Sequence, residues 1–421
     1  MTDPPAKSIA DPAAGPPRAH LPLWLALLAI GWGLVAALVY WHQGLTLSHY
    51  DAKGHLVVAR RVIDSLTPGW LQLGAVWLPL PHVLNLLPVQ VDAWYRTGAS
   101  GIAISILSIA LLVFCSAHLI LRLTGSRVAA VTAVLAIVTN PNLLYLQSTP
   151  MTEPLLLGLI SLALLWTVEA LDDGSRGTWL RASGALALAL LTRYEAWPVA
   201  GAALAATVVA RWHEGAGVRR GIVDAARLGS IPAVALLWFV VHSKATVGAW
   251  FVTGGFYVPD PFYRHHAAAV SGAVWWGLRA LGSEVLARAA ALAVAFLVYW
   301  WWRRCLPASA VVALAWLGVT ALPWYAFFQG HPFRIRYMVP LVVASAVLVG
   351  LAMGRLPRWR AAVATLLMAG VWWSTRPFDP KAAMVLEAQW DRPKSLARRA
   401  VTTCLPTPGG DEVVMASMGS L

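Results

Sequence analysis

The chain has 421 residues, of which 59% are hydrophobic and only 12% charged, and its mean hydropathy is +0.65. A soluble domain carries about a quarter charged residues, so this composition excludes a water-soluble globule, which could not cover its own surface. The formal net charge of +13 does not indicate nucleic acid, because most of the excess Lys and Arg lies in short loops between apolar runs, where it sets topology.

Residues 1–20 are rich in Pro and Ala and lack apolar periodicity, as expected of a disordered cytoplasmic tail. The run from Leu21 to Trp41 is too long for the apolar core of a signal peptide and precedes no small-residue cleavage site, so it reads as a retained first span. Further runs long enough to cross a hydrocarbon core fall near 100–121, 128–146, 154–171, 182–192, 197–211, 228–247, 285–302, 308–328, 337–354 and 361–375. They total about eleven, an all-α polytopic transmembrane bundle over residues 21–375. Trp residues at run edges, such as Trp41, Trp300 and Trp372, fit an interfacial belt.

With the N-terminus inside, every inner loop is basic. Arg122 and Arg127, Arg176 and Arg181, Arg211 to Arg227, Arg303 and Arg304, and Arg355 to Arg360 all fall on that side. The outer side then receives a long loop at 42–99, the segments 140–153 and 192–196, a loop at 248–284, the segment 329–336 and an extracytoplasmic C-terminal segment, 376–421. The expected location is the cell (inner) membrane. Residues 412–421 read as the first strand of a further soluble domain. Cys115, Cys305 and Cys404 fall in an apolar run, an inner loop and the tail, which gives neither a disulfide framework nor a CxxC metal site.

Charges at the ends of spans are costly and mark function, and here they collect on the outer side. Asp51 opens a stretch to Leu66 in which Leu56, Ala59, Ile63 and Leu66 share one face, the pattern of an interfacial amphipathic helix. It suits either an N-terminal helix acid or a base at the membrane surface. Two prolines, Pro79 and Pro81, present His82, as a structural hydrogen-bonder or as a contact to substrate. Glu153 begins a span, where it could cap the helix or reach substrate. Arg193, Tyr194 and Glu195 sit between two apolar runs with hardly a loop to solvate them, as contacts to substrate or, in the plainer account, as an internal pairing of Arg193 with Glu195 or with another segment's acid. Arg334, Arg336 and Tyr337 head a late span, placed for forked phosphate contacts or for snorkelling.

The order of these segments along the chain resembles the GT-C membrane glycosyltransferases. The likeness is to the bacterial branch grouped with dolichyl-phosphate-mannose protein mannosyltransferases and the lipid A aminoarabinose transferase, and it spans about residues 20–375. It implies an inverting glycosyltransferase, moving a hexosyl or pentosyl group from a polyprenyl-phosphate donor to an acceptor hydroxyl on protein, glycan or lipid at the outer face. By the resemblance Asp51 is the catalytic base and Glu153 the second acid, the loop of His82 flanks the donor, and Arg334 and Arg336 face the carrier phosphate. The chain departs from the family in following Asp51 with Ala52 rather than a second acid. It also has a single Glu at the second site, which leaves no acidic pair for a divalent metal, and no cofactor is expected. A transporter or flippase of lipid-linked sugars is the alternative function; it calls for charges near the bilayer midplane in broken helices of related halves.

Overall fold

The computed structural model describes residues 20–252, 257–356 and 358–390, together with Ala397 and Ala400. The expected tail before residue 20 and the expected strand at 412–421 lie outside the described residues. Seventeen α-helices follow one another: α1 (His20–His42), α2 (Tyr50–Arg61), α3 (Leu80–Asn85), α4 (Asp92–Thr97), α5 (Ala99–Thr124), α6 (Arg127–Val138), α7 (Pro141–Gln147), α8 (Glu153–Asp173), α9 (Arg176–Leu190), α10 (Ala196–His213), α11 (Val218–Val247), α12 (Ala267–Gly282), α13 (Glu284–Trp302), α14 (Ala321–Phe328), α15 (Val339–Gly354), α16 (Arg360–Ser374) and α17 (Ala383–Ala388). There is no strand among the described residues. The chain is a polytopic membrane protein: among the described residues seven segments are long and apolar enough to span, one of them Ala308–Phe328, which enters α14 through a 3-10 stretch.

The remaining expected spans are helical but less regular. The expected span 128–146 is broken: α6 and α7 meet at a 68° bend and together would make an eighth span. The cause is local, because Pro141 cannot continue a helix and Asn140 accepts hydrogen bonds from the Asn142 and Leu143 amides, starting a new one. α9 and α16 have 15 residues each and α10 has 18 with charged residues in its last turn. The outer loop 248–284 also holds a helix the hydropathy reading did not mark, α12, which packs on α13, α14 and α15.

The centre of the bundle is α15, 94% buried over its apolar window, surrounded by α5, α6, α8 and α13. Close approach at this depth depends on small residues, since lipid tails give apolar side chains no reason to pack on each other instead. A Cβ on Gly350 of α15 would lie 2.8 Å from Ile120 and 2.9 Å from Ala133, and one on Gly158 would lie 2.7 Å from the Ser108 carbonyl. Either addition would push two central helices apart.

The first long loop folds onto one end of this bundle. α2 stops at Arg61, short of the expected stretch to Leu66, so Ile63 and Leu66 lie exposed beyond it. Its buried face, with Asp51, Ala52, His55, Leu56, Val58 and Ala59, is turned into the protein. His55 Nδ1 lies 3.0 Å from His82 Nε2, and the Trp77 ring covers His55 at 4.3 Å. Burial holds the His82 imidazole down at about 4 and, with the neighbouring His82, holds His55 well below the usual histidine range.

The segments assigned to the two sides by Arg bias also separate in space. Loop 42–99 meets 140–153, 192–196 and 329–336 at one end, and Asp260 and His265 bond Gly330 and Phe328 there. At the other end Arg122 pairs with Asp172 at 2.9 Å, and Arg211, Arg220 and Arg227 converge on the buried Asp224. We therefore expect reporter fusions after Arg122, Arg220, Arg304 and Arg360 to read cytoplasm, and fusions near Asn142, Pro259 and Pro380 to read the outer side; a cytoplasmic signal from Asn142 would invert the architecture.

The histidine pair makes a second expectation. The unfolded chain takes up protons near the ordinary histidine value and the folded one only near 4, so this stability is complete above the ordinary value and is lost as pH falls below it. Between pH 7 and pH 5 the His82 contribution should shrink by about 2 kcal/mol. The melting temperature in detergent should drop accordingly, and drop less in His82→Gln; equal slopes for the two proteins would clear the pair of this role.

Candidate active site

Asp51 sits in the first turn of α2, but it does not cap the helix. His49 does: its Nδ1 accepts the Asp51 backbone N–H at 3.1 Å. The Asp51 side chain, 4% exposed, is free to pair with Arg336, 285 residues away in the 3-10 turn Ile335–Met338 that leads into α15. Arg336 is 7% exposed, so it does not snorkel to water; a guanidinium at this depth needs its carboxylate. Its Nη1 also approaches His49 Nε2 at 3.5 Å, and its Nε has no hydrogen-bond partner among the described residues.

A second charged group lies alongside. Arg193, in the turn between α9 and α10, holds Glu195 with contacts of 2.6, 3.1 and 3.2 Å and donates to the Thr152 hydroxyl at 3.0 Å. Glu153, the first residue of α8, lies 3.0 Å from Arg193 Nη1 and is fully buried. That contact is an ion pair by distance, yet its angle leaves both Glu153 oxygens without a hydrogen bond among the described residues. Burial works against the Arg193 charge, but Glu153 and Glu195 outweigh it and raise its pKa further. Glu153 also acts electrostatically on Arg336, so the two pairs share one field.

The structure thus brings together Asp51, Glu153, Arg193, Glu195 and Arg336, drawn from four separate segments. The remaining expected residues are close by but otherwise engaged. His82 bonds His55, one turn along α2 from Asp51 on the same buried face. The Tyr194 hydroxyl, pushed up to about 12 by burial, donates to the Val76 carbonyl at 3.3 Å and its ring packs on Trp197. Arg334 lies over the Trp390 ring at 5.2 Å, and the Tyr337 hydroxyl is 3.5 Å from His331.

Two residues of the cluster escaped the sequence reading. His49 was legible only as one of several polar residues ahead of Asp51. Glu387, on α17, comes back into the site from beyond the last span, and its Oε1 lies 3.8 Å from His49 Nε2. Nothing in its neighbourhood in sequence, Met384-Val385-Leu386-Glu387-Ala388, distinguishes it from a surface carboxylate. Among the described residues no three His, Cys, Asp or Glu side chains stand close enough to hold a metal ion.

No protein-family description matches the chain, and no curated protein matches it. Solved structures do. ArnT from Cupriavidus metallidurans in the apo state is 18% identical over 90% of this chain, with a TM-score of 0.55. The same protein bound to undecaprenyl phosphate is 16% identical over 88% of this chain, with a TM-score of 0.52. The chain spans 66% of the length of the first and 71% of the second. Its helical membrane bundle has the fold of ArnT, the architecture that the order of its charged segments resembles.

Proposed function

We propose that this protein is a membrane glycosyltransferase that transfers a sugar from a polyprenyl-phosphate donor, with inversion, to an acceptor hydroxyl at the outer face. The observation that carries the reading is the buried Asp51–Arg336 pair where the expected outer segments meet. Buried ion pairs contribute little net stability, so a paired acid and guanidinium at a span end are better explained by chemistry. The likeness to ArnT, and the undecaprenyl phosphate in one ArnT structure, favour this donor class.

Asp51 takes the proton of the acceptor hydroxyl while that oxygen attacks the anomeric carbon. The bond from the anomeric carbon to the phosphate oxygen breaks on the opposite side, and polyprenyl phosphate leaves with the electron pair. Arg336 is suited to both events: Nη1 holds the Asp51 carboxyl group in place, and the unpartnered Nε is available to the leaving phosphate. Glu153, fully buried with both oxygens free of hydrogen bonds, faces the sugar or acceptor hydroxyls. Below Arg336, Leu341, Leu348 and residues of α12 and α13 line an apolar cavity of about 310 Å³, which fits part of an isoprenoid chain. The acceptor hydroxyl belongs to a protein, a glycan or a lipid. The bent α6–α7 pair is the one feature that would suit a transporter, which would move the donor without consuming it.

Membranes incubated with a panel of labelled polyprenyl-phosphate sugars should consume one of them, and translocation with no loss of label from the carrier would favour the transporter. Asp51→Asn keeps size and a contact to Arg336 but cannot take a proton, so turnover should fall roughly a hundredfold or more with donor binding retained. Near-normal turnover in a folded Asp51→Asn protein would remove Asp51 as base. Arg336→Lys keeps the charge but cannot serve Asp51 and phosphate at once. It should lose about 1.5–3 kcal/mol of transition-state stabilisation, read as kcat/KM for the donor, and unchanged kinetics would place the phosphate elsewhere.

A further inference from the structure

Glu387 belongs to no part of the mechanism above, yet it is drawn into the site deliberately. α17 is buried through Met384, Val385 and Ala388, and its first turn is fixed by the Met384 amide, which donates to Asn142 Oδ1 at 2.9 Å. The Glu387 side chain is 9% exposed, and neither of its oxygens has a hydrogen-bond partner among the described residues. A carboxylate in that state is costly to keep without a task.

The protonation of His49 defines the task. Its Nδ1 accepts the Asp51 backbone N–H, so Nδ1 carries no proton and the neutral ring must carry its proton on Nε2. That Nε2–H faces two groups. One is Arg336 Nη1 at 3.5 Å, itself only a donor, which cannot accept it; the other is Glu387 Oε1 at 3.8 Å, which can. In the other tautomer Nδ1–H would oppose the Asp51 amide proton and Nε2 would invite the Arg336 guanidinium away from Asp51. The tautomer of one imidazole therefore decides both how α2 starts and which partner Arg336 keeps.

We propose that Glu387 is a positioning residue: its carboxylate holds His49 as the Nε2–H tautomer, and through His49 it fixes the Asp51 backbone and the Asp51–Arg336 pair. The inference rests on Asp51 being the base of the transfer proposed above. It makes the segment after the last span part of the active site.

The test is a cycle of variants in the full chain, measured for kcat, for donor binding and by nitrogen-15 NMR of labelled histidines. Glu387→Ala should lower kcat about tenfold or more with donor binding unchanged, because the base and not the carrier site is misplaced. Glu387→Gln should recover most of this, since its amide oxygen can face the Nε2 proton as the carboxylate does. His49→Asn retains an N-cap, and in that background Glu387→Ala should add no further loss. The His49 signal, assigned by its absence in His49→Asn, should report the Nε2–H form in the wild type and a mixture in Glu387→Ala. Additive losses, wild-type kcat in Glu387→Ala, or an unmoved His49 signal would overturn the assignment. If the wild type consumes no polyprenyl-phosphate sugar, the proposed function fails, and the His49 spectrum still decides the role of Glu387.

Discussion

The contact between Asp51 and Arg336 ties the first long loop to the head of the central helix, and the rest of that end of the bundle is arranged around it. Arg336 is buried, so its charge must be answered, and among the described residues it is the first turn of α2 that answers it directly. Fixing that turn fixes His49, the burial of the α2 face and the position of the loop that carries Trp77 and His82. Arg193 plays the same part for α8 and α10 through Glu153 and Glu195. The two pairs bring opposite charges out of water at one end of an apolar bundle, an expense that packing alone would not require.

The bundle beneath explains why the charges can be held there. α15 is enclosed on all sides and rises straight into the turn that carries Arg336, and glycine contacts such as Gly350 on Ala133 set it close to α5 and α6. The buried central helix thereby presents a guanidinium at its head, while Asp51 arrives on the shorter α2 and Glu153 and Glu195 at the starts of α8 and α10.

Much of this was legible in the chain before any coordinates. Apolar run length gave the bundle and Arg placement gave two separate ends, because both are properties of short segments in a solvent with no hydrogen bonds to offer. The charges themselves could be named one by one, since an ionised side chain at a span end is conspicuous. Their pairing could not: Asp51 and Arg336 lie on opposite sides of most of the sequence, and local pattern says nothing about which guanidinium a carboxylate will meet. The bend at Pro141 was hidden inside an apolar run that looked continuous, although the Asn140-Pro141 step that causes it was in view. Glu387 was invisible for a different reason, because its burial comes from the packing of α17 on α7 and not from its own neighbours in sequence.

Asn142 wires two distant segments to the bent span. Its Nδ2 donates to the Leu281 carbonyl at 2.9 Å, and its Oδ1 receives the Met384 amide at 2.9 Å. One small amide thus clamps the end of α12 and the start of α17 to the bent span, using a donor and an acceptor at once. Aspartate of the same shape has no proton for Leu281, and leucine has neither function. Asn140 also donates to the Leu281 carbonyl, so the two asparagines anchor α12 and α17 to the same bent span, and stretches of chain more than a hundred residues apart share one support.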